Sequence, residues 1–163
     1  MSKEPILETE RLILRPITLD DAAACFSWNS DERVAKYMSY PTLTDISQTI
    51  DWIKSTLTDE KEYNFAFVLK KENKVIGTGS IGPSSKLEGY WGMGYNLHFD
   101  YWHKGYCTEA MKAIIDYVHK ELGVNRICSC HAVDNPRSGK VMEKCGLKSV
   151  SYTHLTLPTT ERV

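Results

Sequence analysis

A single mixed α/β domain, with elements in the order β-α-α-β-β-β-α-β-α-β, is predicted by three observations. Short apolar runs bounded by turn residues are interleaved with stripes of helical period. Two helix boundaries are sharply punctuated, by Gly123 and by Asn135-Pro136. Finally, the 163 residues are 42% hydrophobic and 25% charged, with no repeat, low-complexity stretch or linker. That is one layered core and enough apolar side chains to fill it.

Taken in order, Arg11-Leu-Ile-Leu-Arg-Pro-Ile17 reads as the first strand. Thr18 or Asp20 then opens a helix with Ala22, Ala23 and Phe26 on one side. Ile46, Ile50, Ile53 and Leu57 recur at i, i+4, i+7 and i+11, which predicts a second helix. Asn64–Leu69 and Val75–Ile81 form two strands joined through the polar turn at 71–74, and Gly94–Phe99 a further strand. The clearest helix carries Ala110, Met111, Ile114, Ile115, Val118 and Leu122 as one apolar stripe and stops at Gly123. Arg126–Ala132 reads as a strand. Asn135 then caps a short helix whose first position is Pro136, where the missing N–H costs nothing, and Gly146 ends it.

Composition narrows the function classes. Lys and Arg total 20 against 21 for Asp and Glu, so a net charge of −1 gives no electrostatic drive toward nucleic acid. No apolar run is long enough to span a membrane, and the charged start Met1-Ser-Lys-Glu-Pro5 lacks a signal-peptide core; a cytoplasmic protein is expected. Cys25, Cys107, Cys128, Cys130 and Cys145 are odd in number and lack CxxC spacing, so they are expected to be reduced packing residues, with no metal site.

The stretch Trp102-His-Lys-Gly-Tyr-Cys-Thr-Glu-Ala110 joins a strand to the clearest helix. A helix start leaves N–H groups unpaired and carries partial positive charge, so it favours an anion; Gly105 allows close approach and Lys104 adds charge. On residue chemistry alone, Gly105 equally serves a tight turn. The stretch resembles the pyrophosphate loop of the GNAT-superfamily N-acetyltransferases, written [QR]-x-x-G-x-[GA], and is similar to its Rim-type branch, which modifies protein N-termini. His103 and Cys107 depart from that pattern, standing where Gly and Gly or Ala are usual. Val133-Asp-Asn-Pro-Arg-Ser-Gly-Lys-Val-Met-Glu-Lys-Cys-Gly-Leu147 resembles the family's N-x-x-S-x-x-[LV]-x-E-K-x-G-F segment. Glu8-Thr-Glu-Arg-Leu-Ile-Leu-Arg-Pro16 is typical of the same branch.

The resemblance implies a GNAT fold: a mixed, mostly antiparallel sheet of about six strands with about four helices. It implies acetyl-CoA as the acyl donor and a primary amine as acceptor, either a protein N-terminus or a small molecule, joined by direct attack in a ternary complex. Backbone amides of His103, Lys104, Gly105, Tyr106, Cys107 and Thr108 would hold the pyrophosphate, and backbone groups near Asn96 and Leu97 the pantetheine arm. Asn135 would contact the cofactor or orient the amine; as a residue it also reads simply as a helix cap. The general-acid Tyr of many members is replaced here by Met142, and Ser138 takes the proton-donor role by analogy with the Rim-type branch. No base is placed: Glu88 reads as a solvated loop charge and Glu109 as a complement to the helix dipole. Of the aromatic residues Trp28, Tyr37, Tyr40 and Trp52, in a region from which the family partly builds its acceptor site, most read as core packing.

Two other readings compete with this one. Gly77-Thr-Gly-Ser-Ile-Gly82 matches a dinucleotide-binding GxGxxG, but turn residues rather than a helix follow it. A non-catalytic acyl-CoA sensor on the same fold is the alternative from another class. Residues 149–163 fit no part of the family pattern and resemble translated sequencing-adapter read-through. They leave room for one strand over Ser151–Leu157, so the final hairpin is expected to be incomplete and the exposed edge to favour a homodimer.

Overall fold

The computed structural model describes residues 3–36, 38, 40–84, 88–130, 136–146, 148–150 and 159–162. Strands β1 (Leu7–Glu8), β2 (Leu12–Pro16), β3 (Tyr63–Leu69), β4 (Lys74–Pro83), β5 (Trp91–Leu97), β6 (Ile127–Cys130), β7 (Lys148–Val150) and β8 (Thr159–Arg162) form one sheet. Its order is β1-β2-β3-β4-β5-β6-β8-β7. Every described pairing is antiparallel except β5 on β6. The helices are α1 (Ala22–Asn29), the single turn α2 (Glu32–Ala35), α3 (Ile46–Thr58), α4 (Tyr106–Leu122) and α5 (Pro136–Lys144).

Strand alternation sorts the core onto two faces. On one, Leu12, Leu14, Phe65, Phe67, Met93 and Leu97 meet the α4 stripe of Ala110, Met111, Ile114 and Val118. On the other, Ile17 packs with Ala22, Cys25 and Trp28 of α1 and Ile53 of α3. α4 stops as expected, with Gly123 left-handed at φ 69°. Asp45 caps α3 through the Ser47 amide at 2.8 Å, and Gln48 at its third position reaches back to the Asp45 amide at 3.1 Å.

Several expectations are corrected. The buried residues of α1 are Ala22, Cys25, Trp28 and Asn29, while Ala23 is exposed and Phe26 half-buried. A 3-10 turn at Leu19–Asp21 precedes the helix, and the inward row runs at i, i+3, i+6 and i+7 from Ala22. β5 spans Trp91–Leu97 rather than 94–99: its ladder with β4 carries Gly92 and Gly94 through the strand, and Phe99–Tyr101 turns as 3-10 helix. The sheet has eight strands rather than about six, because β1 adds a short edge and a C-terminal antiparallel pair forms. β8 inserts between β6 and β7, registering Cys128↔Glu161 and Ser149↔Thr160. The missing-hairpin expectation is thereby overturned, while the strand expected over Ser151–Leu157 lies outside the described residues.

The GxGxxG glycines lie inside β4 and serve packing. A Cβ on Gly77 would stand 2.5 Å from the Asn96 carbonyl oxygen, and one on Gly79 would stand 2.6 Å from Phe67 Cζ. Gly79→Ala is therefore expected to destabilise the fold by about 1–3 kcal/mol through overpacking. A denaturant midpoint equal to that of the parent would contradict this account.

Candidate active site

β5, α4 and β6 form a crossover unit, with a helix joining two parallel strands. α4 therefore begins at the carboxyl ends of both strands, where open α/β sheets bind ligands. His103 at φ 65° and Gly105 at φ 80° are both left-handed, and they turn the chain sharply before the helix. The first helical bond runs from Glu109 N–H to the Gly105 carbonyl at 3.0 Å. The amides of His103 through Thr108 precede that bond and have no acceptor among the hydrogen bonds of the described residues. Tyr106 and Cys107 point into the core, whereas His103, Lys104 and Gly105 are exposed. Cys107 thus fits the loop despite departing from the family pattern. Burial pushes its thiol up to about 12. Cys25, Cys107, Cys128 and Cys145 are all buried and outside any disulfide.

The loop is braced from the far end of the sequence. Glu109 Oε2 accepts from the Thr9 hydroxyl at 2.5 Å and the Arg11 amide at 2.9 Å, and its Oε1 accepts from Arg11 Nε at 2.7 Å. Arg11 Nη1 then donates to the Lys104 carbonyl at 2.9 Å, and its guanidinium lies 4.3 Å from the Tyr106 ring centre. Burial pushes the Glu109 carboxyl up, but the bonds from Thr9 and Arg11 outweigh that and hold it below its ordinary value. Glu109 is therefore an ionised tie at the helix start. The sequence shows Glu109 beside the helix dipole but not this tie, because its partners lie 98 and 100 residues away.

β5 pairs with β4 over seven residues, but with β6 the described register covers Trp91↔Ile127 and Gly92↔Cys128 alone. The Trp91 amide donates across to the Arg126 carbonyl, so alternation points the backbone groups of residues 93, 95 and 97 to the β6 side. Those of Asn96 point to β4. The Leu97 carbonyl accepts from the Trp102 indole at 2.9 Å. The Asn96 side chain lies on the α1–α3 face, with the Tyr40 hydroxyl 3.3 Å from its Oδ1. That hydroxyl also lies 3.0 Å from Asn29 Oδ1, and Asn29 Nδ2 donates to Thr49 Oγ1 at 3.1 Å. In the sequence nothing distinguishes Tyr40 from a packing phenol, and its hydroxyl contacts arise only in the fold.

Ser138 stands in the first turn of α5, but its side chain lies outside the described residues, as does all of Asn135. Met142 is 1% exposed and belongs to the core beneath α4, so the position that carries a Tyr in many relatives is a packing position here. Glu88 is exposed in the turn between β4 and β5. Among the described residues no three His, Cys, Asp or Glu side chains gather to hold a metal ion, and no helix is long and apolar enough to cross a membrane.

A family model described as Acetyltransferase (GNAT) domain matches residues 11–148. The uncharacterized N-acetyltransferase p20 of Bacillus licheniformis is 36% identical over 139 residues, covering 83% of this chain and 78% of that protein. The uncharacterized N-acetyltransferase YoaA of Bacillus subtilis is 30% identical over 88% of this chain and 83% of its own. A GNAT-family acetyltransferase structure from Bacillus anthracis superposes with a TM-score of 0.83 at 24% identity, covering 96% of each chain. RimL, a ribosomal L7/L12 alpha-N-protein acetyltransferase solved with coenzyme A, gives 0.83 at 14% identity over 98% of each chain. The chain belongs to the GNAT acetyltransferase family. It is an acetyl-CoA-dependent N-acetyltransferase.

Proposed function

We propose that the chain is one acetyltransferase domain over residues 1–163 that moves an acetyl group from acetyl-CoA to a low-pKa primary amine, with the α-amine of a polypeptide as the favoured class. The observation that carries this reading is the start of α4: two left-handed residues and a run of unmatched amides at the carboxyl ends of parallel strands. Amides of His103 through Thr108 cradle the pyrophosphate, and Lys104 adds a mobile charge. Of the two expected backbone contacts, Leu97 faces the β6 side of β5 and lies beside the pantetheine arm, whereas the Asn96 backbone is paired with β4 and takes no part. The thioester supplies an electrophilic carbonyl. The neutral amine attacks that carbon directly, the C–N bond forms and the C–S bond breaks, with its electron pair leaving on sulfur. The new ammonium gives up a proton to the Ser138 hydroxyl, which passes its own proton to the departing thiolate, so that amide and free thiol are the products. Asn135 orients the incoming amine.

Support for an α-amine comes from the side chains around β5. Tyr40, Asn29, Thr49 and Asn96 are uncharged, and Glu109 is committed to Arg11 and Thr9. Among the described residues no carboxylate is tied into that group, so the amine sheds its proton largely unaided. A lysine with pKa about 10.4 costs roughly 3.4 kcal/mol more to deprotonate at neutral pH than an α-amine near 7.9. RimL, a structural neighbour, is itself named an alpha-N-protein acetyltransferase.

The test is acetyl-CoA binding by calorimetry, followed by thiol release with matched N-terminal peptides, side-chain lysine peptides and small amines. At pH 7 the α-amines are expected to react at least tenfold faster in kcat/KM than the lysines. Faster lysine acetylation across the panel would overturn the preference. Tight acetyl-CoA binding without thiol release from any amine would favour the sensor reading.

A further inference from the structure

β5 leaves the sheet through a closed turn, and one of the bonds that close it depends on a titratable ring. The Tyr101 amide donates to the His98 carbonyl at 3.0 Å, and the Trp102 amide to the Phe99 carbonyl at 3.1 Å. The Trp102 indole donates to the Leu97 carbonyl at 2.9 Å. None of these bonds responds to pH. The Asp100 amide, by contrast, donates to Nδ1 of His98 at 3.1 Å. A backbone amide has only its hydrogen to offer, so Nδ1 keeps its lone pair there and the ring proton sits on Nε2. A second proton on the ring removes that acceptor and breaks the bond.

The surroundings of the ring supply a second state. Asp100 Oδ2 lies 3.8 Å from Nδ1, so a protonated ring finds a carboxylate partner in exchange for the amide it gives up. Asp31, at the start of α2, is held below its ordinary value by Arg33 first, with His98 adding to it. Arg33 pairs with Asp31 at 2.6 Å and lies over the Phe99 ring at 3.8 Å. Tyr101 meets the imidazole edge-on, with ring centres 5.6 Å apart. Its hydroxyl donates to Glu72 at 3.1 Å, and the ammonium groups of Lys74 and Lys104 lie 5.7 and 5.9 Å from its ring centre. The His98 side chain is 19% exposed, so solvent protons reach it. Imidazole ordinarily changes charge between about pH 5 and 8.

We propose that His98 is a positioning residue for the acetyl-CoA loop and makes the affinity of that loop depend on pH. When neutral, the ring caps the 3-10 turn Phe99–Tyr101, and that turn sets where His103, Lys104 and Gly105 stand before α4. When protonated, Nδ1–H donates to the Asp100 carboxylate instead, the amide is released and the turn loses its cap. The proton is taken from solvent and returned to it, so no other reactant is needed. This rests on the loop reading above, and the experiment separates the two.

Acetyl-CoA affinity is measured by calorimetry at pH 7.5 and 5.5 for the parent, His98→Asn and His98→Leu. Asparagine offers a carbonyl oxygen that can cap the turn but does not titrate, whereas leucine fills the space and offers no acceptor. At pH 7.5 His98→Asn is expected to bind within about twofold of the parent, and His98→Leu about fivefold more weakly, the scale of one hydrogen bond. At pH 5.5 the parent should fall about fivefold relative to His98→Asn, to the level of His98→Leu. Titration of His103, of the carboxylates and of the ligand phosphates is common to all three proteins and cancels in the ratio. In the unliganded parent, nitrogen-15 NMR should show the Asp100 amide signal moving with the titration of the His98 ring. An equal pH ratio in parent and His98→Asn, or an Asp100 amide that ignores the ring, would overturn the device and leave the loop reading intact. Matching titrations together with undiminished binding in Gly105→Ala would keep the cap and sink the loop reading.

Discussion

Gly105→Ala is expected to weaken acetyl-CoA binding by at least thirtyfold, while Gly123→Ala leaves it unchanged. The two glycines bracket α4 and share one backbone state, φ 80° and ψ 7° at Gly105 against φ 69° and ψ 21° at Gly123. A Cβ in that left-handed region costs about 1–2 kcal/mol at either site, so both variants should melt a few degrees lower. Their surroundings differ. At Gly123 an added Cβ meets nothing within 4 Å, whereas at Gly105 it meets Arg11 Nη2 at 3.3 Å. That contact presses on the guanidinium that holds the Lys104 carbonyl, and the methyl group stands beside the amides that receive the pyrophosphate. A thirtyfold loss corresponds to about 2 kcal/mol, the scale of one or two charge-assisted bonds displaced. Calorimetric titration of both variants decides it. Equal affinity loss in the two would mean that the loop senses general strain and that Gly105 has no direct role in binding.

The same helix shows how much of the protein was legible in its residues. The α4 stripe and its glycine stop are local signals, and local signals were read correctly. Asn135-Pro136 likewise gave the start of α5, and Ile46 to Leu57 gave α3. β5 was misplaced because Gly92 and Gly94 have poor strand propensity, and only the ladder with β4 makes them extended. The inward face of α1 is hard to read in the sequence because its buried row, Ala22, Cys25, Trp28 and Asn29, mixes in small and polar residues that carry little apolar signal. At the site, the glycine loop was recognisable, but the tie from Arg11 to Glu109 depends on β2 lying beside the start of α4. Tyr40 meets Asn96 across 56 residues, and nothing in its neighbours marks its hydroxyl as different from a packing phenol. Patterns of short range reveal elements and loops; side-chain pairs closed by the sheet need the fold.

Glu109→Gln carries the other large effect, and pH makes it diagnostic. Glutamine keeps the shape but turns an NH2 toward the Arg11 and Thr9 donors that the carboxylate now satisfies. At pH 7 the variant should lose about 2–3 kcal/mol of stability, as expected when a partly buried ion pair with several hydrogen bonds loses one partner. Arg11 would also loosen its hold on the Lys104 carbonyl, so acetyl-CoA affinity should fall about tenfold. In the folded parent the Glu109 carboxyl sits below its ordinary value, so its stabilisation is complete above the unfolded carboxylate range. It is lost as the pH falls through the folded value. The stability gap between parent and variant should therefore stay flat from pH 7 to about 5 and close progressively below about 4. Asp21, also held low by Arg15 and Thr18 against the upward push of burial, titrates in the same range but is present in both proteins and cancels in the difference. Urea midpoints at a series of pH values measure the gap. A gap that persists undiminished at pH 3 would show that Glu109 acts by packing alone, and that the charge at the start of α4 does not brace the loop.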